Sequence, residues 1–284
     1  MPSRPARYAV IGNPIAHSRS PAIHAMFAAQ TGQDMQYDRL LAAPDGFAAA
    51  VDAFRAEGGR GLNVTVPFKS QAFGYARSHS ARAAVAGAVN TLAFDGDAVL
   101  GDNTDGAGLV EDIEGRIGMR LEGARLLLLG AGGAARGVLQ PLLAAGVARL
   151  AVANRTAARA HALRDDVAPR LDPRHAARLS AGGLDEAGAG FDLIVNATAA
   201  GLSDAAPVLP AQVWRGVRLA LDMVYGARPT PFMQAALEAG CSRAEDGLGM
   251  LVGQAAESFA LWRGLRPATA PVYVALRTQL AASH

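Results

Sequence analysis

The sequence contains very little lysine and cysteine. Among its 27 lysine and arginine residues, Lys69 is the only lysine. A guanidinium stays protonated, whereas an ammonium can lose its proton in a suitable environment, so this one exception marks Lys69 as a candidate for acid–base chemistry. The single cysteine, Cys241, excludes an intrachain disulfide framework and fits a reducing compartment, where we expect it to be a structural thiol.

Long apolar runs and clusters of like charge are also missing. No uninterrupted apolar stretch reaches the roughly 18 residues that a membrane span needs, and the run Tyr8 to Ile11 is too short for a signal-peptide core. The net charge of +2 is not gathered into the basic patch that nucleic-acid binding requires. We therefore expect a cytoplasmic protein, monomer or homodimer, that binds neither membranes nor nucleic acid.

Apolar strands alternate with helical segments along most of the 284 residues, 51% of which are hydrophobic. This alternation predicts an α/β fold with mainly parallel sheets. We expect an N-terminal α/β domain in residues 1–103 and a Rossmann-type domain in residues 104–246, because a new strand–glycine loop–helix unit begins after the polar cluster near residue 103. The length is compatible with one large domain or two modest domains.

The stretch around Lys69 combines an amide, a hydroxyl and an ammonium. Asn63 and Thr65 are two residues apart and should point to the same side of a strand. Pro67 should end this strand and form the turn that presents Lys69. We interpret this stretch as the centre of the chemistry.

Two further polar loops precede predicted helices. Ser18 and Ser20 could hold a polyhydroxylated or anionic ligand, although Ser20 before Pro21 also suits a helix N-cap. Asp105 ends a cluster of four polar side chains between a strand and a helix, more than a cap requires. Placed near Lys69, Asp105 would form a carboxylate–ammonium pair. No metal-ligand spacing is present; for His17 and His24 we expect surface or capping positions.

A glycine-rich loop follows the apolar strand Leu126–Leu129. Gly130-Ala131-Gly132-Gly133-Ala134-Ala135 matches the dinucleotide fingerprint, and a helix follows it directly. Glycines allow the backbone to approach a pyrophosphate, and the helix N-terminus supplies N–H donors. The loop therefore predicts a dinucleotide-binding site.

The next strand ends at Asn154-Arg155-Thr156, where an NAD-binding protein would place a carboxylate for the ribose. Arg155, with Arg159 one turn later, instead favours the 2′-phosphate of NADP. Arg159 could equally lie on a solvated helix face.

Ligands of open α/β sheets lie beyond the carboxyl ends of strands, which is where the sequence places Asn196, Thr198, Met223 and Tyr225. Gln254, on a mostly apolar helix, is either a core amide or a ligand contact.

Together these stretches resemble the shikimate dehydrogenase family, nearly end to end. The resemblance rests on nine motifs in order: Gly12-Asn13-Pro14 with Ser18 and Ser20, Asn63-Val64-Thr65-x-Pro67-x-Lys69, Gly87-Ala88-x-Asn90-Thr91, Asn103-Thr104-Asp105-Gly106, Gly130 to Ala134, Asn154-Arg155-Thr156-x-x-Arg159, Asn196-Ala197-Thr198, Asp222-Met223-x-Tyr225, and Gly247-x-Gly249-Met250-Leu251 with Gln254.

The resemblance implies an NADP-dependent reduction of 3-dehydroshikimate to shikimate for chorismate and aromatic amino-acid biosynthesis. It implies that Lys69 and Asp105 are the catalytic pair and that C-terminal helices in residues 247–284 return to the first domain. The implied shikimate residues are Ser18, Ser20, Asn63, Thr65, Lys69, Asn90, Asp105, Tyr225 and Gln254. The implied NADP residues are Gly130, Ala131, Gly132, Gly133, Ala134, Asn154, Arg155, Thr156, Arg159, Thr198, Met223 and Gly247.

Two alternatives remain. One is an NAD-linked quinate/shikimate dehydrogenase, against which Arg155 argues. The other is a non-catalytic NADP-binding regulatory module, which should have lost the pair that Lys69 and Asp105 would form. One position departs from the family: Ala199 stands where a serine is common, so a hydroxyl contact is in doubt there.

Overall fold

The computed structural model of the chain describes residues 5–198 and 206–282. The chain separates into two compact units. The first unit comprises Met1–Gly108 and Val252–Val272, and the second comprises Leu109–Leu251 and Tyr273–His284. Each of the two units is formed from sequence segments that are far apart along the chain.

Helices and strands alternate through both units. In the N-terminal part they are β1 (Ala6–Gly12), α1 (Ser20–Thr31), β2 (Met35–Leu41), α2 (Phe47–Ala56), β3 (Gly59–Val64), α3 (Lys69–Tyr75), β4 (Ser78–His79), α4 (Ala81–Ala86), β5 (Thr91–Asp95) and β6 (Ala98–Asp102). They continue as α5 (Asp105–Glu111), β7 (Arg125–Leu129), α6 (Gly133–Ala144), β8 (Arg149–Asn154), α7 (Ala157–Val167), α8 (Pro173–Ala176), β9 (Leu179–Gly183), β10 (Leu193–Asn196), β11 (Leu219–Asp222), α9 (Pro231–Glu238), β12 (Ala244–Glu245), α10 (Leu248–Arg263) and α11 (Thr269–Ala282). The expected α/β class is confirmed.

The first unit contains a six-stranded sheet in the order β2-β1-β3-β5-β6-β4. Strand β1 pairs in parallel with β2 and β3, whereas β5 is antiparallel to both β3 and β6. One hydrophobic core includes Phe47, Phe54, Leu62, Phe68 and Leu92. Burial of this core fixes the sheet's register and thereby the direction of the side chains that follow each strand.

The second unit contains a six-stranded sheet with parallel pairs throughout, in the order β12-β11-β10-β7-β8-β9. Its central strand β7 has four fully buried leucines, Leu126–Leu129, as expected for a strand covered on both faces. The carboxyl ends of β7, β8, β10 and β11 lead into Gly130, Arg155, Ala197 and Met223. With Thr198 directly after Ala197, predicted cofactor residues therefore follow four neighbouring strands.

Short-range signals were reliable. The sequence Asp95-Gly96-Asp97 forms a hairpin turn, with Asp95 opposite Ala98 and Gly96 at a φ of 54°. Gly32, also at positive φ (64°), ends α1 as its left-handed C-cap. Cys241 is buried, burial raises the pKa of its thiol, and Sγ donates to the carbonyl of Arg243, in keeping with the expected structural thiol.

Four local predictions were wrong. Ser20 is the first helical residue rather than the N-cap of α1, and its backbone N–H donates to Ser18 Oγ. Strand β3 ends at Val64, so Thr65 lies beyond the strand. Lys69 begins α3 instead of lying on a turn. His24 is fully buried, because its ring stacks on neighbouring aromatic rings.

Among residues 5–198 and 206–282, no helix combines the length and the apolar character needed to cross a bilayer.

Candidate functional site

Lys69 and Asp105 form an ion pair in the first unit. Lys69 is the first residue of α3 and Asp105 the first residue of α5. The Lys69 Nζ lies 2.5 Å from Asp105 Oδ2, and the two side chains are 27% and 12% exposed. An ammonium and a carboxylate that share a hydrogen bond at a partly exposed position can exchange a proton with a ligand.

The second oxygen of Asp105 is also engaged. Asn90 Nδ2 donates to Asp105 Oδ1 at 2.8 Å and to Thr104 Oγ1 at 3.0 Å. In return, Asn90 Oδ1 accepts from the Thr104 backbone N–H at 2.8 Å. Asn103 Oδ1 accepts from the Asp105 backbone N–H just before α5 begins. The carboxylate is therefore held at both oxygens.

A chain of buried hydrogen bonds continues from Asn90 to the strand β3 residue Asn63. Thr91 Oγ1 donates to Asn90 Oδ1 at 2.9 Å, and Asn63 Nδ2 donates to Thr91 Oγ1 at 3.1 Å and to Ser258 Oγ at 2.8 Å. Tyr37 donates its phenol proton to Asn63 Oδ1 at 2.7 Å. The predicted substrate residues Asn63, Asn90, Lys69 and Asp105 thus belong to one network.

A second ion pair supports the segment that carries Asp105. Asp102, at the end of β6, accepts from the Arg82 guanidinium at 2.8 and 2.5 Å, from the Ser80 hydroxyl and from the Asn103 backbone. Burial opposes ionisation of Asp102, but these donors outweigh it and hold its pKa below the usual range. We therefore expect the ionised Asp102 to stabilise the fold of the segment that carries Asp105.

Replacing Asp102 with asparagine should lower the free energy of unfolding at pH 7 by about 2 kcal/mol, the range for hydrogen bonds to charged groups. Because its folded-state pKa is depressed, Asp102 stabilises the fold above its unfolded-state pKa and loses this effect as the pH falls through the folded-state value. Urea unfolding at several pH values should show the difference between the two proteins shrinking in acid. The exposed turn variant Asp97→Asn is the control; a pH-independent difference would contradict the prediction.

The glycine loop of the second unit lines a cavity of about 460 Å³. The lining residues are Gly130, Ala131, Gly132, Gly133, Ala134, Asn154, Ala197, Thr198, Met223 and Val224. The cavity size is within the range of small-molecule sites. Gly130 has a φ of 105°, and a Cβ there would lie 3.1 Å from the Ala197 carbonyl, so this turn requires glycine.

The loop leads into α6, a twelve-residue helix whose N-cap is Gly132. The first N–H groups of a helix lack intrahelical partners and favour anions. A Cβ at Gly132 or Gly133 would meet nothing within 4 Å, so the backbone there is open to a ligand. These features fit the pyrophosphate of a dinucleotide.

Buried polar side chains hold the strands beside this cavity. Asn196 Nδ2 donates to Asp222 Oδ1 at 3.1 Å, and Asn196 Oδ1 accepts from the Thr198 hydroxyl at 2.7 Å. Burial raises the pKa of Asp222, against the hydrogen bonds from Thr230, Val224 and Asn196. This network joins the ends of β10 and β11.

Arg155, Thr156 and Arg159 follow β8 and are exposed. Asn154 Nδ2 donates to the Thr156 carbonyl at 3.0 Å and shapes this turn. Within the described residues neither guanidinium pairs with a carboxylate. Both arginines are therefore available to an external anion. The lining of the glycine-loop cavity does not include these three residues or Gly247, whose Cβ position lies 2.2 Å from the Met223 carbonyl oxygen.

The other predicted substrate residues have different surroundings. Ser18 and Ser20 contact each other at the start of α1, and Thr65 bonds through its backbone to Ile11 and Phe68. Gln254 is 9% exposed, with Oε1 3.5 Å from Thr104 Oγ1, which places it beside the network of the first unit. Tyr225 belongs to the second unit. The expectation about Ala199 lies outside the described residues.

Three family models match the chain. The model of the shikimate dehydrogenase substrate binding domain matches residues 10–92, that of shikimate/quinate 5-dehydrogenase residues 112–203, and that of the shikimate 5′-dehydrogenase C-terminal domain residues 247–277. The shikimate dehydrogenase (NADP(+)) of Bordetella avium is 58% identical over 285 residues, covering 99% of each chain. The chain belongs to the shikimate dehydrogenase family. The resemblance inferred from the nine motifs is confirmed.

Solved structures agree with this family and with the fold. The Ael1 enzyme from Pseudomonas putida has a TM-score of 0.89 at 46% identity, covering 97% of this chain and 98% of that one. The shikimate 5-dehydrogenase of Thermus thermophilus, in complex with NADP(H) and shikimate, has a TM-score of 0.83 at 34% identity, covering 96% and 99%. The family is one of NADP-dependent oxidoreductases.

Sequence reasoning missed four members of the polar network, namely Tyr37, Thr91, Thr104 and Ser258. Thr91 and Thr104 are adjacent to predicted site residues within recognised motifs. Ser258 is four residues after Gln254, on the same face of α10, which is a usable signal. Nothing in the sequence around Tyr37 points to its bond with Asn63.

Proposed function

We propose that the chain catalyses the reversible NADPH-dependent reduction of 3-dehydroshikimate to shikimate, a step of chorismate and aromatic amino-acid biosynthesis. The observation that carries the proposal is the Lys69–Asp105 pair at 2.5 Å, joined to the amides of Asn90 and Asn63 by hydrogen bonds. The Bordetella avium relative bears the same activity in its name.

Lys69 has the acid–base role in this proposal. When bound, NADPH supplies a hydride to the ketone carbon. Lys69 Nζ donates a hydrogen bond or proton to the developing alkoxide, and Asp105, which accepts a hydrogen bond from Nζ, holds the Lys69 side chain in place. In the reverse direction the same pair accepts the proton of the substrate hydroxyl. A positioned acid–base group accelerates such a step about 10²–10⁴-fold.

The proposed substrate domain is residues 1–103 together with the C-terminal helices in residues 247–284. Of these helices, Val252–Val272 lies in the first compact unit and Tyr273–His284 in the second. Ser18, Ser20 and Thr65 offer hydroxyls suited to a carboxylate, and Asn63, Asn90 and Gln254 offer amides suited to ring hydroxyls. Tyr225 is proposed as a further substrate contact. Residues 104–246 form the proposed NADP-binding domain.

NADP binding is assigned to the glycine loop and the residues that follow β8. The loop and the N-terminus of α6 would hold the pyrophosphate. Asn154, Thr156, Arg155 and Arg159 would hold the ribose 2′-phosphate. Thr198, Met223 and Gly247 are assigned to the nicotinamide side of the site.

Replacing Arg155 with alanine should raise the KM for NADP⁺ about 10- to 100-fold, because a charge-assisted contact to the 2′-phosphate is lost. The KM for NAD⁺, which lacks this phosphate, should change little. Steady-state kinetics with both cofactors measures the effect. Arg164→Ala removes the same charge from α7, where Arg164 pairs with Asp165, and is the matched control. An equal rise in KM for NADP⁺ and for NAD⁺ would contradict the assignment of Arg155 to the 2′-phosphate.

The proposed activity is tested by measuring kcat/KM for NADP⁺ and NAD⁺, each with shikimate and with quinate. We expect the highest value for NADP⁺ with shikimate. A preference for NAD⁺ with quinate would establish the alternative dehydrogenase. NADP binding without turnover of either acid would establish the regulatory module instead. Cytoplasmic location and the monomeric or homodimeric state stay predictions.

A further inference from the structure

Thr91 and Ser258 each have a hydrogen-bond acceptor other than Asn63, and their two hydroxyl oxygens lie 2.8 Å apart. Thr91 Oγ1 donates to Asn90 Oδ1 at 2.9 Å, and Ser258 Oγ donates to the Gln254 carbonyl at 3.0 Å. A hydroxyl has one proton and two lone pairs. Both hydroxyls can therefore direct their protons to these acceptors or to each other and present lone pairs to Asn63 Nδ2.

This arrangement fixes the amide orientation of Asn63. Its Nδ2 donates to Ser258 Oγ at 2.8 Å and to Thr91 Oγ1 at 3.1 Å, and it lies 3.4 Å from the Asn90 carbonyl, which is only an acceptor. A flipped amide would place its oxygen 3.4 Å from the Asn90 carbonyl oxygen, which cannot donate. Both N–H bonds of Asn63 are thus used within the protein.

Tyr37 completes the arrangement on the oxygen side. Its phenol donates to Asn63 Oδ1 at 2.7 Å. Burial raises the pKa of this phenol well above its usual value, against an opposing effect of Ser20, so Tyr37 remains a donor at working pH. His24 stacks on the phenol ring with centroids 4.1 Å apart; burial lowers its pKa to about 3, and it adds no charge beside the phenol.

We infer that Tyr37 is a positioning residue that fixes Asn63 as a hydrogen-bond acceptor toward the substrate. An amide has two donors and two oxygen lone pairs. With both donors and one lone pair occupied, Asn63 offers a ligand a single lone pair. Asn63 therefore selects a ring hydroxyl and disfavours a carbonyl or ether oxygen at the same place. This inference rests on the proposed function and assigns the polarity of one substrate contact.

The test is a cycle between Tyr37→Phe and analogues of shikimate that lack one or the other of the two hydroxyls that are not oxidised. With the wild-type enzyme, one of the two analogues should have a much lower kcat/KM than shikimate. In Tyr37→Phe the Asn63 amide is no longer held, so the loss for this analogue should be at least about 5-fold smaller. The other analogue should show no such coupling. If Tyr37 had a purely structural role, Tyr37→Phe would lower kcat/KM by the same factor for shikimate and for both analogues.

Tyr75→Phe is the matched control, because Tyr75 donates its phenol proton to Asp52 away from the network. Tyr75→Phe should leave the ratio of kcat/KM for shikimate to kcat/KM for each analogue unchanged. If Tyr37→Phe does not fold, Ser258→Ala loosens the amide from the opposite side and should show coupling to the same analogue. Equal penalties in wild type and variants would overturn the inference while leaving the proposed function intact. A wild-type enzyme inactive with shikimate would instead overturn the function, and the inference with it.

Discussion

Replacing Lys69 with arginine should lower kcat at least about 100-fold with little change in the affinity for NADPH. The guanidinium keeps the positive charge and can still pair with Asp105, but it does not release a proton to the substrate oxygen. The planar fork also cannot take the position of an Nζ that lies 2.5 Å from Asp105 Oδ2. The Lys69→Arg variant therefore distinguishes the effect of a positive charge on kcat from the effect of proton transfer.

Steady-state kinetics and a direct NADPH binding titration measure the two parts of this prediction. Arg60→Lys is the reciprocal control, because Arg60 is exposed in the same unit and makes no ion pair with the residues that the structure describes. It should retain normal turnover. A Lys69→Arg enzyme with near-normal kcat would remove Lys69 from the chemistry.

Replacing Asp105 with asparagine should also lower kcat at least about 100-fold. The amide preserves the shape of the side chain but loses the charge that holds the Lys69 ammonium. It also turns one of two acceptor oxygens, now facing Lys69 and Asn90 Nδ2, into a donor. One of these two contacts then becomes donor against donor.

Lys69 and Asp105 should behave as one unit. The double variant Lys69→Arg/Asp105→Asn should be little slower than the slower single variant, because either change disables the same proton transfer. Asp97→Asn, in the exposed hairpin turn, should have no effect on kcat. Multiplication of the two single losses in the double variant would contradict the coupled pair.

The features that were predictable from the sequence depend on neighbouring residues. The fingerprint glycines act within a few positions of the chain, so local chemistry determines the loop that they form. The α/β class followed from the alternation of strands and helices. The ion pair of Lys69 with Asp105 could be predicted because Lys69 is the only lysine and Asp105 ends a cluster of four polar side chains.

The contacts that were not predictable join distant parts of the chain. The partner of Asn63 on α10, Ser258, is 195 residues away. Tyr37 is 26 residues away on β2, which β1 separates from β3 in the sheet. His24 was misplaced on the surface because one polar residue in a helix does not reveal the aromatic rings that pack on it from Tyr37 and Trp262. Tertiary packing decides such positions.

NADP⁺ reduction in the presence of shikimate, followed through the absorbance of NADPH, tests the central claim most directly. We predict shikimate-dependent NADPH formation at an ordinary enzymatic rate, about 1–10³ s⁻¹, and at least about 100-fold slower formation by the Lys69→Arg variant in the same assay. Absence of shikimate-dependent NADPH formation by the wild-type protein would contradict it.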